Sequence, residues 1–395
     1  MSKSTIMSKR ITKFSFVGTL ACTFMVSSIG LVNADGHGVY GPFPITEKSY
    51  NGSKKNSVSY GGQIARQLQH NALKKLASKG NPNDPTNAPE KKMLSYLNTK
   101  DKSKTLAILD PSPNSSKFPI KQKMIGELSG GANLSGKADK RIQTSWPGNM
   151  SGVDVIKFMI KKAGKTKGGV DTRNGMNYPQ LISKYTMGAV LYHQACDNYL
   201  DEKLEADNKP NNKPYKKGKH YTGKEHSWDE GFGYWGAAAH GATLSARQNY
   251  DIAKKKDMSA ADANGDGVVN LKSEMNYAHA YYASAFDKGG VTDYYNTITQ
   301  AFIDGRQIIV DANGKALSSS ERSNLKAKAR IICSNWEKVI AEAVFKYAGS
   351  VYGDLEKLKA SPGDAKLYRK YVKHWGELKG FALSLHTSGQ NLGEL

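Results

Sequence analysis

Arginine is scarce in this sequence: 9 Arg stand against 48 Lys in a chain of 395 residues with a formal net charge of +22. Guanidinium forks carry most bidentate base and phosphate recognition, so the basic balance does not point to specific nucleic-acid binding. Lys is spread along the whole chain, which fits a solvated surface with loose attraction to anionic polymers or membranes. Runs of Val, Ile and Thr alternating with period two are few, which argues against a β architecture. Several enzyme signatures are missing: no His-Glu-x-x-His helix, no Gly-x-Ser-x-Gly elbow, no phosphate-binding Gly-Lys-Ser/Thr loop and no dinucleotide fingerprint. A conventional hydrolase is therefore not expected, and whether the chain is an enzyme at all is left open.

Cysteine is rarer still, with Cys22, Cys196 and Cys333. Cys22 lies in an apolar stretch, 14–31, preceded by Lys3, Lys9, Arg10 and Lys13 and followed by the small-residue site Val32-Asn33-Ala34. That is the layout of a removable signal peptide over 1–34, and it implies export to the periplasm or beyond the cell. A lipoprotein signal cut before Cys22 ranks second, because Thr19 suits it poorly. No later segment is apolar over the roughly 20 residues that span a bilayer, so no transmembrane segment is expected in the mature chain. Cys196 and Cys333 both fall in helical patterns; they either pair and staple two distant helices or remain buried thiols.

What is present is helical periodicity. Residues 35–150 read as an arm, a helix over 58–78, a short helix over 91–98 and a loop-rich stretch with short helices near 121–128 and 138–144, packed on a core. Residues 151–395 read as that core, with apolar residues at three- and four-residue steps over 153–163, 177–205, 228–256, 271–287, 292–310, 319–352 and 364–385. The predicted fold class is all-α, a helical bundle or bundles with one EF-hand-like loop.

Three helical segments carry a histidine one turn from a carboxylate. They are His226 with Asp229 and Glu230, His374 with Glu377, and His193 with Asp197. Metal sites in bundles are built from such pairs on facing helices, so these seven residues are the candidate ligands of a transition metal, iron or zinc. Glu337 and Glu342 on another long segment are candidates to complete a site. Gly231, Gly233 and Gly236 beside His226 are costly in a helix and make sense where a helix or ligand must come close.

A further window, Asp262-Ala-Asn264-Gly-Asp266-Gly-Val268-Val-Asn270-Leu-Lys-Ser-Glu274, begins as a calcium loop does. Oxygen side chains occupy loop positions 1, 3 and 5, Gly267 the turn, Val268 the position that ligates through its carbonyl, and Asn270 position 9. The closing acid, Glu274, comes one residue late. Calcium is the expected ion, as a structural clip.

The window from His226 to Gly236, together with 58–66, 301–306 and 373–382, resembles an uncharacterised family of secreted bacterial proteins. More distantly the chain resembles the imelysins, exported helical proteins linked to iron uptake with a Gly-x-His-x-x-Glu motif. His226 would match the motif histidine and Asp229 its acid, with Gly223 three residues before the histidine instead of two. The resemblance implies a secreted metal-binding protein in metal acquisition, with a metal ion and an envelope or membrane-associated partner. Two rival expectations are a metal-dependent hydrolase and a non-enzymatic scaffold that binds a protein partner or glycan.

Overall fold

A computed structural model describes residues 38–98, 106–109, 118–205 and 208–388. The expected signal peptide over 1–34 and the alternative anchor at Cys22 fall outside the described residues. The described chain is mostly helical: α1 (Gly61–Ala77), α2 (Ala88–Asn98), α3 (Gly152–Gly164), α4 (Tyr178–Thr186), α5 (Gly223–Trp235), α6 (Ala246–Ala253), α7 (Met258–Ala261), α8 (Ala278–Asp287), α9 (Tyr294–Asp311), α10 (Ser319–Ala360) and α11 (Ala365–Ser388). A two-residue hairpin, Val170–Asp171 with Met176–Asn177, is the sheet among them. No helix of the described residues is long and apolar enough to cross a membrane.

Local chemistry sets the helix starts. Ser318 and Glu321 form a reciprocal capping box at the head of α10, as do Thr222 and Glu225 at α5 and Ser245 and Gln248 at α6. Asn177 caps α4, with Pro179 in its first turn. α5 stops at Gly236, whose φ of 80° closes the helix in the left-handed region. The single helix expected over 228–256 is consequently two, α5 and α6, joined through a 3₁₀ turn at Gly241–Thr243. The helix expected from 271 begins only at Ala278, because Asn276 spends its side chain on Ala238 N–H and Tyr277 N–H bonds Gly236 C=O. Residues 138–144 are not helical, and 121–128 supplies a single 3₁₀ turn, Ile125–Glu127.

α4 runs without a break into a π-helix, Met187–Glu202. Ser384 of α11 sits where the ladder changes: its Oγ accepts from Gly188 N–H at 3.1 Å and donates to Lys184 C=O at 2.5 Å. A hydroxyl inserted between an i carbonyl and an i+4 amide is a known cause of helix distortion. α10 packs between α9 and α11, and α11 lies along α4 and the π-helix. α1 packs on α2, α4 and α5, so the N-terminal region shares one apolar core with the later helices. Cys196 of the π-helix and Cys333 of α10 are joined as a disulfide.

Candidate functional site

The Trp-Asp-Glu window folds around a buried arginine. Arg306 of α9 is fully buried; its Nε donates to Asp229 Oδ1 at 3.0 Å, its Nη1 to Glu225 Oε1 at 3.2 Å and its Nη2 to Ser57 Oγ at 2.7 Å. Asp229 accepts two more bonds, from Tyr40 O–H at 2.7 Å and Ser59 N–H at 2.8 Å, and Glu225 accepts from Thr46 O–H and Thr222 N–H. Tyr40 stacks on Phe232 with ring centroids 3.7 Å apart. The network ties the arm, α5 and α9 together. Both oxygens of Asp229, a sequence-predicted ligand, are thereby engaged. The glycines serve helix approach: a Cβ on Gly305 would enter the Trp228 ring, and one on Gly233 would lie 2.6 Å from Gln63 Cβ of α1.

His226 lies at the edge of that network, beside Ser59. Its Nε2 lies 3.8 Å from Glu230 Oε1, and its ring sits between Tyr215 and Tyr221, stacked on the latter. Burial lowers its pKa. Glu230 accepts from Gln63 Nε2 at 2.8 Å and faces Lys137 and Lys203. Nearby ammonium groups would compete with a bound cation for this carboxylate.

The other two pairs stand elsewhere. His193 Nδ1 is 2.9 Å from Asp197 Oδ2, but Arg141 reaches both, at 3.5 and 3.4 Å. The His193 hydrogen bond holds Asp197 below the usual carboxylate range. His374 Nδ1 meets Asp354 Oδ2 of α10 at 2.5 Å, a partner the sequence reading missed. That partner comes from another helix and therefore follows no sequence spacing. Glu377, one turn on, is buried and turned toward Lys74, Lys184 and Tyr347. Glu337 is buried in α10, and Glu342 is half-buried there. The three histidine pairs share no hydrogen-bond or ion-pair partner, and among the described residues no three His, Cys, Asp or Glu side chains gather as a metal-binding group.

The Asp262 loop is folded inward on itself. Asp262 accepts from Asp266 N–H and Gly267 N–H, Asn264 Oδ1 from Asp266 N–H, and Asp266 Oδ1 from Val268 N–H. Gly265 and Gly267 take φ of 71° and 79°, which a side chain would strain. Glu274, the displaced acid, reaches back to Ala263 N–H at 3.2 Å and Asn270 N–H at 2.6 Å. Val269 pairs with the chain at Pro119 and Lys121, and Asn270 Oδ1 accepts from Gln122, so a second segment braces the loop.

A cavity of about 610 Å³ opens between α1, α4, α8, α10 and α11. Lysines and tyrosines dominate its wall, with Ser183, His70, His374 and Glu377. His70 Nε2 lies 2.8 Å from Ser183 C=O and 3.2 Å from its Oγ. The carbonyl requires a proton on Nε2, so this nitrogen has no lone pair for the hydroxyl, and the pair is not a nucleophile with its base. Burial lowers the His70 pKa to about 3. Sequence reading passed over the cavity because its lysines come from five separate segments; the one local signal was Lys184 inside an apolar helix face.

No curated protein and no solved structure matches the chain. One family model does, over residues 48–359, a span that contains Arg306, the Trp-Asp-Glu window and the Asp262 loop, so the chain belongs to the family described as Domain of unknown function (DUF4856).

Proposed function

We propose that this protein is an exported calcium-binding protein that acts by binding and not by catalysis. The observation that carries the reading is Glu274. The sequence leaves the closing acid one position late, yet its carboxylate accepts from Ala263 N–H, next to Asp262, and from Asn270 N–H, so it stays bonded to both ends of the loop. Asp262, Asn264, Asp266 and Glu274 would hold the ion with the Val268 carbonyl; Asn270 is shared with Gln122. Hard oxygen donors of this kind suit calcium. The Cys196–Cys333 disulfide supports export, since such bonds persist in oxidising compartments.

Iron or zinc acquisition, which the imelysin resemblance implies, has narrower support. It rests on His226 with Glu230, because Asp229 is committed to Arg306, Tyr40 and Ser59.

Both readings are tested on the mature protein. Calcium should raise the melting temperature, by an amount corresponding to about 2.7 kcal/mol at a hundredfold excess over Kd, and Asp262→Ala should abolish the rise. No rise in the wild type, or an equal rise in the variant, removes the calcium reading. Elemental analysis of chelator-free protein and of His226→Ala decides the transition metal: equal iron and zinc in both means that His226 is not a ligand.

A further inference from the structure

The cavity between α1, α4, α8, α10 and α11 is lined by six lysines, Lys74, Lys75, Lys184, Lys254, Lys346 and Lys373, against one acid, Glu377. Among the described residues none of the six forms a salt bridge, whereas lysines elsewhere do, as Lys328 does with Asp304 and Lys370 with Asp354. Lys75 is tied to the Leu109 carbonyl. The others form a gradient in depth: Lys254, Lys346 and Lys373 are exposed at the rim, Lys74 is half-buried, and Lys184 is 3 % exposed at the floor. Lys184 lies over the faces of Tyr282 and Phe381, at 5.2 and 5.6 Å. Aromatic faces and one glutamate compensate poorly for a buried ammonium beside other ammonium groups. What the arrangement lacks is negative charge.

We propose that this cavity binds a small anion bearing two or more phosphate groups, with Lys184 holding the innermost group and Lys74, Lys254, Lys346 and Lys373 the outer ones. No arginine lines the wall, which disfavours planar carboxylates gripped by guanidinium forks; ammonium groups act as point charges with rotatable donors and suit tetrahedral oxyanions. Tyr281 adds a hydroxyl donor, while the Tyr282 and Tyr347 hydroxyls bond one another. The volume falls within the range of small-ligand sites. Spacing the cations from rim to floor calls for more than one anionic group. A predominantly cationic funnel also focuses the field on an approaching anion. Burial and like-charged neighbours both push the Lys184 pKa down, and a bound anion would relieve the second cause. The inference is independent of the calcium reading.

The test is calorimetric titration of the mature protein with tripolyphosphate, pyrophosphate and citrate. The buffer contains a calcium chelator, so that stripping the Asp262 loop contributes no heat. Tripolyphosphate should bind at least tenfold more tightly than citrate, with pyrophosphate between them, and affinity should fall as salt rises. Lys184→Met should weaken tripolyphosphate at least tenfold while leaving the melting temperature of the free protein equal or higher, because an uncompensated charge is removed. The exposed Lys338→Gln, outside the cavity, should change nothing. Citrate binding as tightly as tripolyphosphate, wild-type affinity in Lys184→Met, or an equal loss in Lys338→Gln each overturns the proposal. Should Lys184→Met not fold, the double variant Lys254→Gln/Lys373→Gln decides, with unchanged affinity overturning it. Co-sedimentation with phosphatidic-acid vesicles that needs Lys184, without tripolyphosphate binding, would reject the small-molecule form in favour of a lipid headgroup.

Discussion

Arg306 is charged and wholly enclosed, and it is stable there because two carboxylates and a serine hydroxyl take its donors. Removing one member of such a cluster strands the rest, which typically costs 3–5 kcal/mol, roughly. Arg306→Met should therefore lower stability by about that much in urea unfolding, and Arg306→Lys should recover little, because one ammonium cannot reach Asp229, Glu225 and Ser57 together. A loss under about 1 kcal/mol for Arg306→Met would show that the network is not the keystone of α5 and α9. His70 offers a pH test. Its folded pKa, about 3, lies below the unfolded value near 6.5, so the folded state binds the proton less readily. Its contribution is complete above pH 6.5 and is lost as pH falls toward 3; at pH 5 the loss is about 2 kcal/mol. The melting temperature should drop between pH 7 and 5, and His70→Leu should flatten that drop. His226 with Glu230 and His193 with Asp197 were legible as pairs, because a helix brings positions three and four apart together, whereas the acid beside His374, Asp354, was not. That Asp229 serves Arg306 was not, since the two are 77 positions apart.

At the scale of elements, α11 approaches α4 along small residues. A Cβ on Gly376 would lie 2.9 Å from Asn177 Cβ, and one on Gly380 2.6 Å from Lys184 Cβ; Ser384 continues the row one turn later. This close approach accounts for Gly376 and Gly380, and it lets the Lys184 stem pass α11 on its way to the cavity. Gly380→Leu should overpack this seam and cost about 1–3 kcal/mol. It should also weaken the tripolyphosphate response, whereas Gly353→Ala, in α10 with no neighbour within 4 Å, should leave that response intact. Helix existence was readable from apolar spacing, but the true start of α5, at Gly223 after its Thr222 cap and five residues before the expected one, was not. The break at Gly236 and the late start of α8 were not, because backbone and side-chain bonds from distant segments decide them.

For the whole molecule, the Cys196–Cys333 bond closes a loop of 137 residues between the π-helix and α10. Constraining so long a loop in the unfolded chain typically stabilises by about 2–5 kcal/mol. Cys196→Ser/Cys333→Ser should unfold at correspondingly lower urea concentration, and reductant should destabilise the wild type but not the double variant. Of the two fates that the sequence left open for these thiols, only helix packing selects one, by setting their Cα atoms 5.7 Å apart. The amino-acid order alone determined the all-α class, the positions of most helices and the composition of the Asp262 loop, because periodicity, capping and loop ligands act over a few residues. Tertiary structure alone decided which charges from distant segments meet. It gave Asp229 to Arg306 and His374 to Asp354, and it gathered six lysines around one cavity. Coulomb interactions depend on separation in space, and in this chain the groups that matter come from helices far apart in sequence.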